Sequence, residues 1–288
     1  MSIRTVTNRA AASVLCLLLS GCPTTPLNLP TQLQGFAVAA PQGSFLSSNS
    51  SLTVAAACPA GTVAVGGGWS AGTDSATRVR SSTPLPGGAG WTVTATNARL
   101  LGASIFLRPF AICVTAPQGY ALVSTAGSLQ SQETNSVEAV CPSTTHVATG
   151  GGSATTSAEV HGFSQQIVLQ PAPERYRVAG RSSLLLPGQS DFSAAALCAD
   201  FTQVPGRELV LSPTVQVGPG SRATLSADCP VGKSALHGAV MSLASGLVTL
   251  ESFPVNGATG WSAQAHNPAI FGGTLSARLQ LVCASAAR

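Results

Sequence analysis

Charge is scarce in this chain. Its 288 residues include 14 Lys or Arg and 10 Asp or Glu, and Lys233 is the single lysine. The basic residues gather no more densely than Arg78/Arg80 and Arg175/Arg177/Arg181, and aromatics make up 5%. Nucleic-acid binding wants a dense basic stripe with interleaved aromatics, so that class is excluded. No close carboxylate pair suits two-carboxylate glycoside hydrolysis. Histidines 146, 161, 237 and 266 share no ligand spacing, although His237 and His266 could meet with Asp228 or Glu251. No metal or other cofactor is expected. No window carries a capped 3.6-residue period, and no later apolar run reaches the length of a membrane span. Polarity falls to Ser, Thr, Gln and Asn, which suits an exported surface.

What is present is one pattern written three times. Cys58, Cys141 and Cys229 each precede a proline. An aromatic follows in each case (Trp91, Tyr176, Trp261), and then a second cysteine (Cys113, Cys198, Cys283) always 22 residues beyond it. Self-similarity at a fixed period marks a repeated structural unit. Units are expected over 35–117, 118–203 and 204–288. Six cysteines in an exported chain read as a disulfide framework. Only one pairing treats the units alike: Cys58–Cys113, Cys141–Cys198 and Cys229–Cys283. The fixed interval also makes Trp91, Tyr176 and Trp261 core anchors rather than sugar platforms.

Within each unit the signals are short and strand-like. Trp91-Thr92-Val93-Thr94-Ala95-Thr96 and Tyr176-Arg177-Val178-Ala179 alternate with period 2, and Pro/Gly pairs punctuate them. An all-β fold is therefore expected, with antiparallel sheets and five or six strands per unit.

The N-terminus reads as a targeting segment over 1–21, with Arg4 and Arg9 ahead of a short apolar stretch. It ends in Leu19-Ser20-Gly21-Cys22, which resembles the lipobox of bacterial lipoproteins. The resemblance implies lipidation of Cys22 and anchoring in the cell envelope. Pro23 in place of an aspartate implies the outer membrane or cell surface. The proline-rich 22–34 reads as a tether.

The Cys58-Pro59-Ala60-Gly61 opening with Gly66-Gly67-Gly68 resembles C-P-x-G…G-G-G repeats of uncharacterised secreted bacterial proteins. It is also similar to the vitelline membrane outer layer proteins, whose three units fold as a β-prism. Unit two reads Cys141-Pro142-Ser143-Thr144 and keeps Gly150-Gly151-Gly152. Unit three keeps Cys229-Pro230-Val231-Gly232 but carries His237-Gly238-Ala239. Because the units are longer than that family's, three small sandwiches are expected. A pseudo-threefold prism with a shared core is the alternative.

Gly68-Trp69-Ser70-Ala71-Gly72 matches the G-x-S-x-G nucleophile elbow, which works at a strand-to-helix turn of an α/β sheet. No such alternation is present, so Ser70 is not expected to be catalytic. The glycine triplets read as bulges or close backbone crossings. Trp69 lacks an aromatic counterpart in the other units and is the candidate for an exposed ligand contact. A non-enzymatic structural or adhesive envelope protein is expected. A binding module for envelope polysaccharide or a partner protein is the alternative, and a hydrolase centred on Ser70 comes last.

Overall fold

The computed structural model describes residues 30–287, apart from 73–75, 101, 103, 132, 157–159, 183–187, 243–245 and 271. The expected targeting segment, residues 1–21, and Cys22 lie outside the described residues. The first third of the body forms β1 (Ala37–Ala39), β2 (Ser44–Leu46), β3 (Ser50–Ala57), β4 (Thr62–Ser70), β5 (Thr77–Pro84), β6 (Gly90–Asn97) and β7 (Ile105–Thr115). The second forms β8 (Ala121–Gln130), β9 (Thr134–Val140), β10 (His146–Thr155), β11 (Val160–Val168), β12 (Arg175–Ser182) and β13 (Gln189–Asp200). The last forms β14 (Glu208–Leu211), β15 (Val215–Val217), β16 (Arg222–Asp228), β17 (Ser234–Ser242), β18 (Val248–Val255), β19 (Gly260–His266) and β20 (Leu275–Ala284). Two short 3₁₀ turns are the only helical pieces among the described residues.

Proline explains why the strand count differs between the thirds. Pro41 falls between β1 and β2, and Pro213 falls between β14 and β15. A proline donates nothing to a ladder, so each of those edges breaks in two. The equivalent edge in the second third has no proline and runs unbroken as β8.

The strands pair antiparallel, and the expected disulfides form: Cys58–Cys113, Cys141–Cys198 and Cys229–Cys283. Each joins the end of a strand preceding a Cys-Pro turn to the last strand of the same third. The period-2 reading of β6 holds, since Trp91, Val93 and Ala95 are all fully buried.

The sheets do not stop at the borders between thirds. One sheet runs β1-β7-β4-β18-β19-β16, with Trp69 facing Ser252 where β4 of the first third meets β18 of the last. Another runs β3-β6-β5-β10-β13-β8, joined where Ser153 and Ala154 face Ser82 and Ser81. At the remaining seam β11 lies beside β17. There Ser164 Oγ donates to the Ser242 carbonyl and accepts from its amide, at 3.3 and 3.0 Å. Of the two arrangements weighed from the sequence, the thirds thus share one body, and separate sandwiches are ruled out by strand pairing across their borders.

The glycine triplets make this approach possible. A Cβ on Gly68 would lie 2.0 Å from the Ser252 carbonyl oxygen, and one on Gly152 would lie 2.1 Å from that of Ser82. Ala239 stands at the corresponding place in β17, and no ladder forms at its seam among the described residues. A bulge interrupts β4, β10 and β17 at matching places, between Ala64 and Gly66, Ala148 and Gly150, and Ala235 and His237. The bulge and close-crossing readings of the triplets are therefore both correct.

Candidate functional site

The middle glycine of each triplet carries an aromatic ring. Added Cβ atoms on Gly67, Gly151 and Gly238 would lie 2.2, 2.3 and 2.2 Å from Trp91, Tyr176 and Trp261. The three rings are fully buried, as their constant spacing implied. Their polar atoms are all satisfied. Trp91 Nε1 donates to Ser82 Oγ, Trp261 Nε1 to Ser252 Oγ, and the Tyr176 hydroxyl to Gln165 Oε1, at 2.9, 2.8 and 2.7 Å.

His237 stands among them, at the sequence position that Gly66 and Gly150 hold in the other thirds. Its ring centroid lies 6.0, 5.6 and 5.9 Å from those of Trp91, Tyr176 and Trp261. Its Nε2 lies 3.0 Å from the Tyr176 hydroxyl, whereas Nδ1 has no hydrogen-bond partner of proper geometry. Burial holds its pKa down to about 4, with the nearby Gly67 backbone opposing weakly. This is a core histidine, kept neutral by its surroundings. No group of three His, Cys, Asp or Glu among the described residues could hold a metal ion, and that includes the combination with His266.

Trp69 is not an exposed contact. It is buried, and its Nε1 donates to the Leu250 carbonyl across the seam at 2.9 Å. The neighbouring β18 covers it, which no reading of a single unit could foresee. It forms instead one wall of a narrow recess with Ser82, Ser153, Gln165, Phe163 and Thr249. Beside it, Ser70 ends β4, and its hydroxyl donates to Glu251 Oε2 at 3.3 Å. Burial raises the Glu251 pKa, and the Ser70 bond opposes that shift. A nucleophile elbow needs a helix behind the serine, and no α-helix occurs among the described residues.

The residues that sequence reasoning missed lie at the Cys-Pro end of the second third. An open cleft there is lined by Thr144, His146, Leu169, Glu174, Phe201 and Arg207. Gly61 and Gly232 turn the other two Cys-Pro loops with φ of 80° and 81°. The second third has Ser143-Thr144 instead and holds its turn with side chains. Ser143 Oγ lies 2.6 Å from His146 Nδ1 and 2.8 Å from Thr145 Oγ1. Asp200 Oδ1 lies 3.7 Å from that same Nδ1. A Ser–His–Asp relay needs its serine and aspartate on opposite ring nitrogens, so this cluster is no triad. Under the cleft, Arg207 pairs with Glu174 at 2.6 Å and donates to the Ala148 carbonyl at 2.9 Å. That clamp ties the last third to the second. Phe201 and Leu169 stand exposed on the cleft's flanks.

The signal for this cleft was the loss of Gly in the second C-P-x-G, where side-chain bonds of Ser143 hold the turn instead. No family model matches the sequence, and no curated protein matches it.

Proposed function

We propose that this protein is a non-catalytic, lipid-anchored element of the bacterial cell envelope, acting as a structural or adhesive post at the outer membrane or cell surface. One observation carries the reading: the chain enters a welded body at its Cys-Pro end. The Leu33 amide donates to the Ser285 carbonyl, and the Thr115 amide donates to the Gln34 carbonyl, both at 2.8 Å. Leu33 also bridges Ala286 in parallel. These partners lie at the ends of β20 and β7 nearest the Cys-Pro turns. A lipid on Cys22 would sit beneath that end and leave the opposite end displayed. Two or more acyl chains make such anchoring stable. Metabolic labelling with a radioactive fatty acid tests it. Label is expected on the wild type and absent from Cys22→Ala, and an unlabelled wild type would end the proposal.

A second reading is favoured by the cleft. Exposed Phe201 beside hydroxyl, carboxylate and amide groups is the chemistry of a neutral polysaccharide site, with the ring on an apolar sugar face. Binding of purified envelope polysaccharide should weaken on Phe201→Ala and persist on Trp69→Phe. Equal binding by wild type and Phe201→Ala would dismiss it.

A further inference from the structure

We propose that the end of the body remote from the Cys-Pro turns docks on an anionic lipid surface facing the one that carries the anchor. The proposal rests on the reading that the anchor lies under the Cys-Pro end. Leu100 follows Trp91 by nine residues, and Ile270 follows Trp261 by nine. They stand in equivalent connections, between β6 and β7 and between β19 and β20. Both are 81% exposed.

Strand direction puts both connections at the remote end. β4 runs from Thr62, near the Cys-Pro turn, to Ser70 opposite Arg108, and β7 begins beyond that pair at Ile105. Across the seam, Ser252 faces Trp69, so Val248 and its partner His266 lie at the same end. A third apolar group joins them close by. Phe45, 72% exposed, packs edge-on against Phe106, 44% exposed, with ring centroids 5.3 Å apart. Leu100, Ile270 and the Phe45–Phe106 pair each stand exposed on separate segments of the chain. They can be buried together only by a broad surface.

Charge says what kind of surface. Arg78, Arg80, Arg99, Arg108, Arg181, Arg222 and Arg278 all lie in the remote half, against Glu133, Asp191 and Glu251 among the described residues. Asp74 and Glu159 lie outside the described residues. Among the described residues the other half holds Arg175, Arg177, Arg207 and Lys233 against five carboxylates: Glu138, Glu174, Asp200, Glu208 and Asp228. Arg175–Glu138, Arg177–Glu138, Arg207–Glu174 and Lys233–Glu208 are ion pairs of that half, while in the remote half Arg78 and Arg99 also have partners. Apolar tips on a half with an arginine excess among its described residues match a bilayer rich in anionic headgroups, where basic groups near the surface add to apolar insertion.

The test places full-length protein in phosphatidylcholine donor vesicles and adds fluorescent acceptor vesicles with or without phosphatidylglycerol. Acceptors containing phosphatidylglycerol are expected to float with the donors, those without it to stay behind, and high salt to weaken the association. Leu100→Asn combined with Ile270→Asn is expected to reduce recruitment about tenfold. Both side chains lie in solvent, so the near-ultraviolet signal of the buried tryptophans should be unchanged. No recruitment of anionic acceptors overturns the proposal, as does recruitment indifferent to the tips. So does a displayed end that uses the same tips to hold a protein while ignoring lipid, although the adhesive reading then survives. Should the donors retain no protein, the anchor reading fails by itself. The unanchored chain is then sedimented directly with the acceptor vesicles, with the same two outcomes deciding.

Discussion

The imidazole Nε2 of His237 and the hydroxyl of Tyr176 meet 3.0 Å apart, both groups fully buried where the three thirds of the chain converge. Burial keeps that histidine neutral in the folded state down to about pH 4. In the unfolded chain it titrates near its ordinary pKa of about 6.5. Below that pH the unfolded state binds a proton that the native state refuses. Stability must therefore fall as pH drops from about 6.5 to about 4, by about 3 kcal/mol from this group, and no further below. Urea melts of wild type and His237→Gln at pH 7 and pH 4 check this. The wild type should lose about 3 kcal/mol more than the variant, and parallel losses would refute it.

The aromatic rings lie so close to glycine that a methyl group has no room. Gly151→Ala would drive its Cβ into Tyr176 and the Ala195 carbonyl, 2.3 and 2.4 Å away. Overpacking of this kind costs about 1–3 kcal/mol or more. Gly273→Ala is the control, because nothing lies within 4 Å of the added atom. Denaturant midpoints should separate the two variants clearly.

Each disulfide closes a long loop, of 55, 57 or 54 residues in sequence separation. Chain entropy values such a closure at about 4 kcal/mol, an upper figure. Removing Cys141–Cys198 by a double alanine substitution should lower thermal stability steeply. Peptide mapping without reductant should recover the three pairings and none between thirds.

The Arg207–Glu174 clamp is nearly out of solvent, with side chains 7% and 15% exposed. Burial lowers the Arg207 pKa, and the charge and hydrogen bonds of Glu174 oppose that shift. Arg207→Ala leaves Glu174 uncompensated and should cost about 3–5 kcal/mol. Arg207→Met combined with Glu174→Met removes both charges and should cost much less. A double substitution as damaging as the single one would refute the account.

The all-β class, the disulfide pairing and the three buried aromatics were legible because each is written as an interval along the chain. Alternation within a strand and a repeated spacing between cysteines need no knowledge of what lies alongside. Even the glycine triplets could be assigned to close backbone crossings, though not to particular partners.

The joining of the thirds, the burial of Trp69, the place of His237 and the cleft beside Phe201 were decided by tertiary structure alone. Trp69 looked exposed because its own unit offers nothing to cover it, and the cover comes from β18, some 180 residues away. His237 occupies a glycine's position, yet its surroundings come from all three thirds. A sequence states what each segment prefers, but which surfaces a strand edge meets depends on long-range pairing that local pattern does not encode.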